Sequence, residues 1–415
     1  MKNPRRLVTA AAMSVTGFLV LAAGCSYDVA APLWEQPYSA PPTPSITSIQ
    51  PASAPAGVNT ILIAGQNLSG VPMSNGVYFD ITPADIVQKS ATAITVRRPS
   101  LATSSCTVNL VSDSALVVAK ISFGNIDLVM DRVGNFLDNV ALAAVVVDSA
   151  ENLFVISGVT PVSIWKVSTG GDKSALMTSG ITVRPPFDAA LRSGVLYLTS
   201  SNREIQQVNI ATGVVSRWTQ LPAGRVVKVG DFDANGYFYT GGAAGGDLCV
   251  IPPNPPTTLT LAQITLSGFY AADEILAVRV FKGYLYVASK ATGQTAGKIW
   301  RHALGNAGQL GTQELVLDLS AHATFAARQV KAISLSASGV LYVTTDAENP
   351  LLVFDPANGS LDYFYKGIVP PYGKHAGWGR SVYLYMISGD IANTNTALRW
   401  NVARVNMGTP GASSQ

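Results

Sequence analysis

Residues 187–218 read Phe187-Asp188-Ala189-Ala190-Leu191, a turn ending at Gly194, Val195-Leu196-Tyr197-Leu198, then Ile205-Gln206-Gln207-Val208, the turn Thr212-Gly213, and Val214-Val215-Ser216-Arg217-Trp218. Four short runs rich in β-branched and aromatic residues, parted by tight turns, are the pattern of one four-stranded antiparallel sheet. The second run recurs as Leu153-Phe154-Val155, Leu196-Tyr197-Leu198, Phe238-Tyr239-Thr240, Leu285-Tyr286-Val287, Leu341-Tyr342-Val343 and Val382-Tyr383-Leu384. Its aromatic positions lie 43, 42, 47, 56 and 41 residues apart. That period is the length of a propeller blade, and it predicts six sheets packed around one axis.

The third run recurs too, as Ile164-Trp165-Lys166-Val167 before Gly170, Ile299-Trp300-Arg301, and Leu352-Val353-Phe354-Asp355 before Asn358-Gly359. Together the units resemble the NHL-like and related lyase-like six-bladed propellers over most of residues 125–408. The resemblance is one of architecture. The last unit, from Tyr372, lacks a clear fourth strand, and Ile126-Asp127-Leu128-Val129 is expected to supply it and so protect both open edges. The long interval before Tyr342 has room for an irregular extra strand pair, which leaves the blade number open by one.

Upstream, Pro44-Ser45-Ile46-Thr47-Ser48-Ile49-Gln50-Pro51, Gly57 and Thr60-Ile61-Leu62-Ile63-Ala64-Gly65-Gln66-Asn67-Leu68 alternate with period two between Pro and Gly, as a two-sheet sandwich requires. With Val77-Tyr78-Phe79, Ile86-Val87, Ala93-Ile94-Thr95-Val96 and Val108-Asn109-Leu110, they resemble the immunoglobulin-like IPT/TIG family. Leu68 stands where that family usually has Phe, and Asp80 where Gly is common. The resemblance implies a spacer or binding module without catalytic residues. The expected class is all-β: a sandwich over 44–123, a propeller over 124–410 and a short tail over 411–415.

The first 24 residues have a basic start and an apolar run, closing on Leu21-Ala22-Ala23-Gly24-Cys25. This resembles a lipobox, which implies removal of 1–24 and acylation of Cys25. Buried acyl chains contribute about 0.8 kcal/mol per methylene, so several on one cysteine hold a protein to a bilayer. Ser26 stands where an Asp would be the usual inner-membrane retention signal, so the resemblance points to the outer membrane of a cell envelope. Residues 25–43 carry Pro32, Pro37, Pro41 and Pro42 and are expected to form an extended tether.

Only 13% of residues are charged. Without Lys2, Arg5 and Arg6, the 28 Lys and Arg fall to 25, equal to the 25 Asp and Glu, so net charge gives no support for nucleic-acid binding. Cys106 and Cys249 sit in apolar strand contexts of different domains and are expected to be buried thiols rather than a bridge.

Asp231-Phe232-Asp233-Ala234-Asn235-Gly236 has the first half of a calcium loop but Gly242 where a bidentate Glu is needed, so a hairpin turn is expected. His302, His322 and His375 lack metal-ligand spacing, and neither a nucleophile elbow nor a phosphate loop is present. Catalytic residues, metals and cofactors are therefore not assigned.

The segments entering the inner strands carry Asn139, Arg184, Arg225, Glu274, Arg328 and His375, which could ring one mouth of the channel as a binding surface. The repeat-locked aromatics are read as inter-blade core, while Trp34, Trp378 and Trp400 are freer to act. The expected function is a membrane-anchored envelope module binding an envelope or extracellular protein or glycan. The alternatives are a propeller enzyme of the lyase or lactonase type, and a structural envelope component.

Overall fold

The computed structural model describes residues 42–113, 117–136, 140–181, 186–389 and 401–412. These residues form eight four-stranded sheets. The tether, Cys25 and its signal, Trp34 and Trp400 lie outside the described residues. Among the described residues, no helix is long and apolar enough to cross a membrane.

Two sheets make the immunoglobulin-like sandwich. One orders its strands Ser45–Gln50, Thr60–Gln66, Ala93–Arg97 and Ile86–Lys89; the other orders Thr82–Pro83, Val77–Phe79, Cys106–Leu110 and Ala119–Phe123. Alternation puts Ile61 and Ile63 inward from the first sheet, and Cys106, Val108 and Leu110 inward from the second. Phe79 and Phe123, both from the second sheet, meet edge to face within this core at 5.3 Å.

The remaining six sheets are the blades of a propeller, with inner strands Leu142–Val147, Pro186–Arg192, Val229–Phe232, Asp273–Phe281, Val330–Leu335 and Gly373–Trp378. Each inner strand touches the next, and the sixth returns to the first. The interval before Tyr342 holds the 3-10 turns Asn306–Gly308 and Leu319–Ala321 and, among the described residues, no additional strand pair. Crowding at the axis selects small residues: a Cβ on Gly377 would lie 2.5 Å from the Val145 carbonyl oxygen of the neighbouring blade.

The ring closes as expected in principle but with a different strand. Met130–Val133 is the outer strand of blade six, with Val133 opposite Val402 and Met130 opposite Val405, and Arg404 clasps Asp131 with two hydrogen bonds of 2.9 and 2.5 Å. Ile126, expected to begin this strand, instead bridges Ala54 and Thr103 and is buried in the sandwich core. An apolar residue at the junction suits either core, and the sandwich takes it.

Aromatics fill the seams between blades. Trp218 packs edge to face on Tyr197 of its own blade, and on Phe232 and Phe238 of the next. Trp378, expected to be freer, is 7% exposed; it packs on Tyr342 of blade five and donates its indole N–H to the Ser381 carbonyl. Cys106 and Cys249 are free buried thiols in separate cores.

The sandwich is bolted to the propeller beside blades five and six. Arg97 makes a bidentate pair with Asp362 at 2.9 and 2.7 Å. The Asn59 amide donates to the Tyr363 carbonyl, its oxygen accepts from the Tyr365 N–H, and the Tyr365 hydroxyl accepts from the Gly57 N–H. Arg98, 3% exposed, donates to the carbonyls of Ala54, Pro55 and Asp127 and lies over the Tyr365 ring. Burial pulls its pKa below the usual arginine value, opposed by Tyr365 and Asp127.

Candidate functional site at the channel mouth

Where the inner strands begin, they surround a cavity of about 220 Å³. Five of the six inner strands change register there, pairing two of their residues against one on the partner strand. The extra residues are Ala143, Phe187, Leu276, Lys331 and Lys374. A bulge re-aims the side chain it adds. Phe187, Leu276, Lys331 and Lys374 all line the cavity.

Charged side chains alternate with this apolar wall. Glu274 receives Lys228 at 2.8 Å and Lys290 at 3.4 Å. Burial works to raise its carboxyl pKa, but the hydrogen bond and charge of Lys228, aided by Lys290, hold it below the usual value. Lys331 reaches Asp346 at 3.5 Å and also donates to Gln329. Lys374 donates to the Leu142 carbonyl at 3.0 Å; burial, reinforced by the charge of Lys331, brings its ammonium pKa down to about 8.

Beneath these groups lies a buried pair. His375 Nε2 is 2.6 Å from Asp188 Oδ1, and the Val145 N–H donates to Nδ1 at 3.2 Å. Because Nδ1 accepts, the hydrogen-bond pattern assigns the proton of the neutral ring to Nε2, which donates to Asp188. Asp188 also accepts from the N–H groups of Ala189 and Gly230. Burial would raise its pKa, yet the hydrogen bond from His375, followed by the charge of Arg279 and the Ala189 N–H, keeps it low.

Arg279, 4.0 Å from Asp188, stands at the channel waist and lines both the mouth and a lower chamber of about 60 Å³. Asp231 lines that chamber; burial pushes its carboxyl pKa up, against the charge of Arg279 and the N–H groups of Val280 and Phe232. Ala412 lies across the chamber, its N–H bonded to the Leu335 carbonyl.

Of the residues expected at the mouth, Glu274 and His375 line it. Arg225 instead donates to the Gly246 carbonyl within blade three. Arg328 turns outward to the Asn349 carbonyl and the Tyr363 hydroxyl. The splayed loops offer these long side chains partners on their own blades, so neither faces the axis. Asn139 and Arg184 lie outside the described residues. Sequence reading missed Asp188, Lys228, Arg279, Lys331 and Lys374; the available signal was a charge inside an otherwise apolar inner strand, as in Val330-Lys331-Ala332-Ile333 and Val278-Arg279-Val280.

Asp231 and Asp233 point to different partners. Asp231 faces blade four, whereas Asp233 accepts from the Tyr237 N–H and the Tyr239 hydroxyl, shaping a hairpin turn. Among the described residues, no three His, Cys, Asp or Glu side chains gather to hold a metal.

Residues 44–127 match the IPT/TIG domain family. Comparison with curated proteins finds no match. Among solved structures, the chain is similar to a luciferin-regenerating enzyme at a TM-score of 0.52 and 12% identity, covering 69% of this chain and 98% of that one. It is similar to regucalcin, a calcium-binding protein from Agrobacterium tumefaciens, at a TM-score of 0.51 and 12% identity, covering 68% and 94%. An auxiliary nutrient binding protein from Bacteroides thetaiotaomicron aligns at a TM-score of 0.48 and 9% identity, covering 88% and 97%. At such identities the likeness to the first two is one of fold: the chain joins an IPT/TIG domain to a six-bladed β-propeller.

Proposed function

We propose that this chain is an envelope lipoprotein, anchored by acyl chains on Cys25, whose propeller binds an extracellular or envelope protein or glycan at the channel mouth. The observation that carries this reading is the mouth itself, a concave apolar-walled cavity with a few converging polar groups.

Binding is favoured over lyase or lactonase chemistry by the hydrogen bonding of His375. Both ring nitrogens are engaged, one by Asp188 and one by the Val145 N–H, so the pair braces blades two and six to blade one instead of presenting a base to a ligand.

The test is capture from envelope extracts and on glycan arrays with the chain from Ser26 onward, beside a Phe187→Asp variant. A partner retained by the parent chain and lost by the variant supports the reading. No partner under any condition, or equal capture by both, overturns it. For the anchor, Cys25→Ala should abolish lipid labelling and release the chain from the membrane fraction. Continued membrane retention would mean that the folded domains provide the attachment.

A further inference from the structure

We infer that the channel mouth seats one uncharged sugar ring, with Phe187 beneath an apolar face of the ring and the Lys228 and Glu274 pair meeting its hydroxyls. This deepens the proposed binding role and rests on it.

The charges around the mouth are already engaged. Glu274 holds Lys228 at 2.8 Å and Lys290 at 3.4 Å. Lys331 reaches Asp346 at 3.5 Å and donates to the Gln329 amide oxygen. Asp188 takes His375 at 2.6 Å and faces Arg279 at 4.0 Å, and Lys374 donates to the Leu142 carbonyl. A ligand carrying a full charge gains only by displacing one of these partners, and the displaced group is then left unpaired in a partly buried site.

Hydrogen-bonding capacity is a different matter. An ammonium has three donors and a carboxylate about four acceptor sites, so the contact between Lys228 and Glu274 leaves both groups able to bond further. Both are partly exposed and open to water. A ligand that covers them must replace that water or incur the cost of unsatisfied polar groups. A hydroxyl both donates and accepts, so it suits a wall on which an ammonium and a carboxylate stand side by side.

Phe187 supplies the other half of the site. It is the residue added by the bulge at the start of the blade-two inner strand, it lines the cavity, and it is 47% exposed. The Lys228 ammonium lies 5.9 Å from its ring centroid, which sets the aromatic platform and the charged pair within about one ring's breadth of each other. The face of an aromatic ring is negative and attracts weakly positive C–H groups. A pyranose carries such C–H groups on its face and hydroxyls on its rim. A wholly apolar ring would cover Phe187 but strip water from Lys228 and Glu274 without return, while a small ion would leave Phe187 bare. A cavity of about 150 Å³ accepts benzene, so about 220 Å³ admits one ring with its substituents.

The experiment is isothermal titration calorimetry of the chain from Ser26 onward at pH 6 with methyl glucoside, methyl galactoside, sodium glucuronate, glucosamine in its ammonium form and benzyl alcohol. At least one methyl hexoside should bind tenfold or more tightly than the two charged sugars and benzyl alcohol. Glucuronate, glucosamine or benzyl alcohol matching the better hexoside would overturn the inference.

Phe187→Ala should cost the bound hexoside tenfold or more, and Phe187→Trp, which keeps an aromatic face, should cost less. Glu274→Gln deprives Lys228 and Lys290 of their carboxylate, so glucuronate should gain tenfold or more relative to the hexoside. Equal losses in the two Phe187 variants, or no gain for glucuronate, would likewise overturn the sugar assignment. The ranking of probes on the unsubstituted chain stands even if a variant fails to fold. If no probe binds but a Phe187→Asp-sensitive partner is still captured, the sugar assignment alone fails. If nothing is captured either, the binding role fails with it.

Discussion

Replacing Asp188 by Ala or Asn tests whether the buried pair braces the ring. In the parent protein the carboxylate accepts from His375 Nε2 at 2.6 Å and the Gly230 N–H at 3.2 Å, and it faces Arg279 at 4.0 Å. Alanine leaves these two donors and the Ala189 N–H without that acceptor, at about 1–3 kcal/mol each, and strands the Arg279 charge. That agrees with the roughly 3–5 kcal/mol typical of breaking a buried ion pair, so a loss of about 4 kcal/mol is expected. Asparagine keeps one oxygen for His375 but turns an amide toward Gly230 and Arg279, and about 2 kcal/mol is expected.

The assay is equilibrium urea unfolding followed by fluorescence of Trp218 and Trp378, which pack in the seams beside blades two and six. The pH dependence adds a second constraint. Because the folded-state pKa of Asp188 is held below that of the unfolded chain, about 3.9, its contribution is fully present above that value and is lost as pH falls through the folded pKa. The Asn variant should therefore trail the parent by a constant amount from pH 5 to 8 and converge on it below about pH 4. An Ala variant within 1 kcal/mol of the parent, or an Asn difference that widens in acid, would refute the bracing role.

Other outcomes follow from the same structure. Arg98→Met removes three hydrogen bonds to the carbonyls of Ala54, Pro55 and Asp127 and should destabilise the sandwich by about 3 kcal/mol, read as earlier proteolysis within residues 44–127. The partly exposed Arg97 and Asp362 pair should show a coupling of only about 1 kcal/mol in a double-mutant cycle, falling in 1 M salt. Gly377→Ala forces a methyl against the Val145 carbonyl and should cost about 1–3 kcal/mol in thermal unfolding.

The repeat of Tyr197, Tyr239, Tyr286 and Tyr342 made the propeller legible because a blade buries the same strand in the same way each time. The mouth was less legible for an equally physical reason. Strict alternation predicts which residues face the axis, but a bulge adds one residue and resets the alternation. Nothing in Val330-Lys331-Ala332 marks Lys331 as the added residue. Arg328 shows the converse, since its position suited the mouth while Tyr363, 35 residues later, supplied a nearer partner. Glu274 and His375 were found because each opens an apolar inner strand, where a polar residue stands out.

The bolted contact between sandwich and propeller also determines where a mechanical load would travel. The strand that locks the ring, Met130–Val133, begins only a few residues after Ile126 leaves the sandwich. A pull from the N-terminal side would otherwise peel it from blade six and open the propeller like a zip. Arg98 ties Ala54, Pro55 and Asp127 together, and Asn59, Gly57 and Arg97 grip Tyr363, Tyr365 and Asp362. Tension therefore enters sideways through the flank of blade five, and the locking strand hangs slack behind it, like a cable behind its strain relief.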